Sequence, residues 1–156
     1  LPVFRTQYGY GAYIEGWGLY VELLAKEMGF YQDPYSDFGR LGREIWRAIR
    51  LVVDTGIHAK GWTEAQALAF YTANSPQPVG KIRSEIRRYF VSPGQATSYK
   101  VGMVKILALR QEAREALGPR FDQRGFHDLV LSAGALPLPI LETRVRRWVR
   151  AGGKAA

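Results

Sequence analysis

Apolar residues recur along this chain at intervals of three and four, broken at short distances by glycine, proline and asparagine. That rhythm predicts helices almost throughout. A first helix is predicted from about Tyr8 to Met28, across the apolar and aromatic "YIEGWGLYVELLAKEMGFY", with Gly29 in the position a left-handed cap favours. "DPYSD" reads as a turn, after which Ser36 or Asp37 caps a second helix running to about Asp54. Thr63 and Gln66 form a capping box for a third, "TEAQALAFYTAN", which Asn74-Ser75-Pro76 closes. A fourth covers about Val79 to Phe90, and "SPGQ" places Ser92 as cap and Pro93 at the first position of a long fifth reaching Leu117-Gly118. Two shorter helices follow, near Phe121 to Ser132 and Leu138 to Arg150, and the "AGGKAA" tail is expected to fray. No alternating run of strand type survives between the breaks, so the predicted fold class is all-α.

Composition narrows this picture. With 156 residues, 17.6 kDa and 47% hydrophobic residues the chain is one ordinary domain or a piece of a larger one, with enough apolar content for a real core. No internal repeat, low-complexity block or flexible linker interrupts it. Cysteine is absent, which excludes disulfides and thiolate metal sites. No stretch approaches the roughly 20 apolar residues of a membrane span, and "LPVFRTQYGYG" lacks the basic start and apolar run of a signal peptide. The missing initiator Met points to a mature product, an excised piece or a proteolytic fragment, and leaves the compartment, periplasmic or cytoplasmic, open.

A formal charge of +8 and a pI near 9.9 raise the question of nucleic acid. The basic residues, however, are spread over four segments and accompanied by acidic ones, as in "RLGREIWRAIR" and "LRQEAREALG", the pattern of solvated helix faces. Nucleic acid is therefore not the expected partner. Arg40, Arg43, Arg47 and Arg50 form one stripe, with Ile45, Trp46, Ile49 and Val53 opposite, which predicts an amphipathic helix with a basic outer side.

Two residues, Glu15 and His58, carry candidate chemistry by their own setting. Glu15 lies between Ile14 and Gly16-Trp17-Gly18 at the head of an apolar helix, and a partly buried carboxylate there needs a cation or hydrogen-bond donors. A metal ion is one such partner, and an ion pair with Arg47 or Arg50 is the other. His58 closes "VVDTGIH", with Gly56 and Gly61 expected to disrupt the helix on either side; Asp54, four residues earlier, can accept a proton from the imidazole and fix its tautomer. His127, between Phe126 and Asp128, reads as packing. Tyr99 shares a predicted helix face with Gln95, one turn earlier.

Four long phrases, "EGWGLYVELLAKEMGFYQDP", "REIWRAIRLVVDTGIHAKGWTEAQA", "PGQATSYKVGMVKILALRQEAREALG" and "FDQRGFHDLVLSAGALPLPILETRV", stand in one order along the chain. Together they resemble the C-terminal part of the bacterial family catalogued as domain of unknown function 885. The resemblance covers the chain from about Tyr8 to Trp148. It implies an all-helical fold similar to zinc metallopeptidases of the thimet-oligopeptidase and angiotensin-converting-enzyme type. In those enzymes two histidines of an HExxH-like helix and a later glutamate hold zinc, and family members carry a His-Glu-Pro-Gly-His phrase upstream of the glutamate phrase.

That upstream phrase is absent here, and the two histidines, His58 and His127, stand far apart. The resemblance thus implies a half-site, in which Glu15 is the third zinc ligand and an N-terminal segment of the same protein supplies the imidazoles. It further implies that Tyr99 donates its hydroxyl to the oxyanion of a peptide substrate, with His58 beside it, and that Gln95, Arg47 and Arg50 bind substrate, the two arginines forming salt bridges otherwise. Zinc is expected in the complete protein and none in this chain alone, which is expected to hydrolyse no peptide and to pair with its missing segment or as a homodimer. The competing reading is a non-catalytic helical module that binds an anionic partner through its arginine faces.

Overall fold

The computed structural model describes residues 3–154, the side chains of Phe4 and Thr6 excepted, and is all-α. Its helices are α1 (Val3–Gln7), α2 (Gly11–Glu27), α3 (Pro34–Lys60), α4 (Glu64–Asn74), α5 (Val79–Val91), α6 (Ser98–Leu117), α7 (Gln123–Leu131) and α8 (Leu138–Arg150), with a 3-10 turn, Gly118–Arg120, before α7. No strand occurs among the described residues, and no helix among them is long and apolar enough to cross a membrane. Of the tail expected to fray, Ala155 and Ala156 lie outside the described residues. The chain divides into two compact units: unit 1 runs up to Tyr20 and from Val101 onward, and unit 2 is Val21–Lys100. The division falls inside α2 and inside α6.

Unit 1 is pinned by a glycine pair. A Cβ at Gly102 would collide with the carbonyl oxygen of Ala12 and the Cα of Gly16, and a Cβ at Gly16 would strike the backbone of Gly102. The two backbones therefore cross in direct contact, which only residues without side chains allow. Tyr13 is anchored beside this crossing by donating its hydroxyl to the carbonyl of Val130 at 2.7 Å. Tyr20 pairs with His127 Nε2 at 2.7 Å and accepts from Arg110 at 3.1 Å, so His127 belongs to a packed aromatic group with Trp17 and Phe126. Phe126, Val130, Leu141 and Val145 are fully buried where α7 meets α8.

In unit 2, α3, α4 and α5 pack on one another around Trp46, Ile49, Val53, Tyr71, Ile82, Ile86 and Tyr89. The first predicted helix begins at Gly11 rather than Tyr8, with α1 before it, and the second departs from its predicted bounds at both ends for visible reasons. The second helix starts earlier, because Asp33 rather than Ser36 or Asp37 caps it, accepting from the Ser36 amide at 2.9 Å with Pro34 in the first turn. It also continues past Asp54 to Lys60, ending on left-handed Gly61 at φ 66°. Gly56 does not break it: a Cβ there would collide with the Trp62 ring, so this glycine is a packing site within the helix.

The fifth helix starts later than predicted. Ser92 and Pro93 do not open it; residues 92–97 form turns, and α6 begins at Ser98. Gly94, at φ 78°, is left-handed and so cannot lie inside a right-handed helix. Its amide is held by both carboxylate oxygens of Asp54, at 3.1 and 3.2 Å. The arginine stripe of α3 also departs from a simple outer face. Arg40 and Arg50 are each only 8% exposed, whereas Ile45, assigned to the core side, is 44% exposed. Ion pairing makes this possible, since both buried guanidiniums find carboxylates.

Candidate functional site

The stripe of α3, the entry to α5 and the start of α6 together enclose a cavity of about 510 Å³ in unit 2. Its cationic wall comprises Arg43, Arg47, Arg50 and Lys81, and its aromatic wall Trp46 and Tyr99. The helical spacing of three and four puts Arg43, Arg47 and Arg50 along one side of α3. Glu85, the one carboxylate in the lining, is already engaged. It accepts from Arg50 at 2.8 Å, from Arg88 at 3.0 Å and from the Tyr89 hydroxyl at 3.0 Å. Burial works to raise the Glu85 pKa, but the Arg88 hydrogen bond and the charges of Arg50 and Arg88 hold it below the usual carboxylate range.

Arg50 is thereby committed to structure. Its Nε donates to the Tyr89 hydroxyl at 3.1 Å, and its guanidinium lies 4.8 Å from the Tyr99 ring centre. Burial of Tyr89 pushes its hydroxyl pKa up, so Tyr89 remains a neutral donor and acceptor in this network. Arg47 is held more loosely, at 3.3 Å from Glu22 and 3.0 Å from the carbonyl of Arg43, with its guanidinium 5.8 Å from the Tyr99 ring. Tyr99 is thus overlain by two cations while its own hydroxyl makes no hydrogen bond among the described residues. Lys81 places its ammonium 4.3 Å from the Trp46 ring, and neither Lys81 nor the Arg43 side chain is ion-paired among the described residues. The Trp46 indole N–H, buried in the same wall, has no hydrogen-bond partner among them.

A second charged chain flanks this region along α3. Lys26 pairs with Asp37 at 2.8 Å, Asp37 with Arg40 at 2.9 Å, Arg40 with Glu44 at 2.8 Å, and Glu44 with Lys100 at 2.6 Å. Burial works to raise Glu44, yet the Lys100 and Arg40 contacts hold its pKa below the usual range.

The remaining sequence-derived candidates are placed elsewhere. His58 donates from Nε2 to the carbonyl of Tyr89 at 2.9 Å, tying the end of α3 to α5. The expected Asp54–His58 pair is not formed, because Asp54 is occupied by the Gly94 amide. Gln95 accepts from Arg88 at 2.6 Å, and it sits in the turn before α6 rather than on a helix face with Tyr99. Glu15, in unit 1, is half-buried on α2 and makes no hydrogen bond or ion pair among the described residues. No group of three or more potential metal-ligating side chains is assembled among the described residues. Sequence reasoning missed Arg43, Lys81 and Trp46 as cavity residues. The available signal is the arginine stripe itself, which on its own reads as a solvated face and sets Trp46 on the other side.

The family described as "Bacterial protein of unknown function (DUF885)" matches residues 1–145. Among solved structures the chain is similar to one described as a putative lipoprotein from Colwellia psychrerythraea, at 47% identity and a TM-score of 0.94 over 97% of this chain. The chain spans 26% of that protein's length, about a quarter of it. No curated protein matches the chain. On a match over this much of its length, the chain belongs to the DUF885 family of bacterial proteins.

Proposed function

We propose that this chain is the C-terminal part of a zinc-dependent peptide hydrolase and that Glu15 is the carboxylate ligand of its metal. The observation that supports this is the state of Glu15: half-buried, on a helix fixed by the Gly16–Gly102 crossing, and without a partner among the described residues. A half-buried carboxylate loses part of its hydration on folding, and a cation is one group that can replace it. Arg47 and Arg50, the arginines considered as its partners, are engaged by Glu22 and Glu85.

The donor set fits one zinc ligand and not a complete site, since the described residues assemble no group of three. A hard carboxylate oxygen is a normal zinc ligand, and two imidazoles from a preceding segment would complete the protein's share. The quarter-length span of the related structure is consistent with such a segment. Zinc, when bound, would polarise a substrate carbonyl and lower the pKa of water. In unit 2, Tyr99 carries a hydroxyl without a hydrogen bond among the described residues, a group of the kind that can donate to an oxyanion, and the guanidiniums of Arg47 and Arg50 lie over its ring.

The test is elemental analysis and peptide hydrolysis by the complete protein. About one zinc per chain, with activity lost on chelation and restored by zinc, is expected. A complete protein that binds no zinc, or hydrolyses peptides equally well after chelation, would contradict the reading.

A further inference from the structure

Beside the cationic cavity of unit 2 lies a second, of about 490 Å³, bounded mainly by Phe38, Leu41, Ile45, Ala48 and Pro76. The two share Phe38, Gly42 and Pro76 as walls, so an apolar compartment opens directly beside a charged one. Phe38 and Leu41 are 69% and 48% exposed, which leaves apolar area available to an occupant. The side chains in the cationic compartment that make no hydrogen bond or ion pair among the described residues include three donors, the Arg43 guanidinium, the Lys81 ammonium and the Tyr99 hydroxyl. The neighbouring carboxylates are already neutralised by cations, Glu85 through Oε2 by Arg50 and Arg88, and Glu44 by Arg40 and Lys100. What the site lacks is a negatively charged acceptor with an apolar neighbour.

We propose that the two compartments together bind the C-terminal end of a peptide whose last residue is apolar. The carboxylate is held by Arg43, Arg47 and Lys81, and the last side chain lies against Phe38, Leu41 and Ile45. The peptide identity rests on the hydrolase reading above, which it deepens by naming the end of the substrate that is recognised. It is favoured over a fatty acid by a further polar group. The Gln77 side-chain amide, in the lining, can pair with a peptide N–H and C=O together, a pairing that an alkyl tail does not offer. Arg50 is left out of the carboxylate contact because it is buried and its charge is already paired with Glu85.

The experiment is titration calorimetry with the complete protein stripped of metal by chelation, so that binding is read without turnover. The probes are an N-acetylated tetrapeptide ending in phenylalanine, the same peptide as its C-terminal amide, and decanoate. The free acid is expected to bind at least about 10-fold more tightly than the amide, the scale of one charge-assisted hydrogen bond. This preference is expected to vanish in the Arg43→Gln, Lys81→Gln double variant, whose two side chains are exposed and unpaired and whose melting temperature should be unchanged. Equal affinity for acid and amide would overturn the proposal without any variant being needed. So would displacement of the peptide by decanoate at equal concentration, or an undiminished acid preference in the double variant. Acid preference in a protein that never hydrolyses peptide would contradict only the hydrolase reading, and hydrolysis without acid preference only the binding site.

Discussion

Glu15 of unit 1 and the carboxylates Glu85 and Glu44 of unit 2 stand in opposite settings. In unit 1 the half-buried Glu15 is left without a partner among the described residues, on a helix whose position the Gly16–Gly102 crossing fixes. In unit 2 carboxylates are spent holding cations: Glu85 serves Arg50 and Arg88, and Glu44 serves Arg40 and Lys100. The contrast separates two uses of the same chemistry. A paired charge explains itself by the geometry it maintains, whereas a half-buried carboxylate without a partner among the described residues keeps its oxygens available to one.

The sharpest challenge to that contrast is Tyr99→Phe in the complete protein. The substitution removes a hydroxyl without a partner among the described residues and keeps the ring beneath Arg47 and Arg50. Peptide kcat should fall about 10²-fold to 10³-fold, with zinc content and melting temperature unchanged. Steady-state kinetics with thermal denaturation checks both halves, and unchanged kcat would return Tyr99 to packing.

The glycine crossing comes next. Gly102→Ala sets a methyl group against the Ala12 carbonyl and the Gly16 backbone, neither of which can rotate away. A loss of about 3 kcal/mol is expected, measured by urea unfolding. If Gly102→Ala unfolds at the wild-type midpoint, Glu15 is not rigidly placed and its lack of a partner loses its meaning.

Acid lability should belong to the paired carboxylates. The folded-state pKa values of Glu85 and Glu44 are depressed, so their stabilising contribution is fully present above the ordinary glutamate pKa. It is lost as pH falls through the depressed folded values. Melting temperature followed downward from neutral pH should decline in that window, and the decline should be shallower in Glu85→Gln, which is less stable at neutral pH. An identical acid slope in the variant would mean that Glu85 is not held by its cations.

The smallest effect is a gain. Gly18 lies on the exposed side of α2, and a methyl group added there would have nothing within 4 Å of it. Gly18→Ala should therefore stabilise by roughly 0.5–1 kcal/mol through helix propensity, the reverse of Gly102→Ala. Thermal denaturation of the two variants side by side reads the contrast directly.

Much of the fold is legible in the sequence because local signals govern it. The Thr63–Gln66 capping box and the left-handed Gly29 stand where the sequence puts them. The displaced boundaries are set by contacts distant in sequence or outside the helix: the Trp62 ring over Gly56, and Asp54 reaching 40 residues to the Gly94 amide. The candidate cavity is half legible. Arg47, Arg50 and Tyr99 stand out in the sequence and the structure brings them together, but Arg43 and Lys81 look like surface charges until α5 is placed beside α3. Gln95 and His58 escape sequence reasoning for the same reason as Asp54, since their partners, Arg88 and the Tyr89 carbonyl, lie on another helix.

The central claim is that Glu15 is a metal ligand, and one measurement addresses it most directly: the zinc dissociation constant of the complete protein with Glu15 and with Glu15→Gln. The substitution keeps the size, removes the charge and replaces one carboxylate oxygen by an amide donor. Because Glu15 has no partner among the described residues, folding should be unaffected, which the melting temperature of the metal-free proteins reports. Zinc affinity is expected to fall by at least about 10-fold, the scale of disturbing even the surroundings of a ligand. Equal zinc affinity in the two proteins would contradict the account.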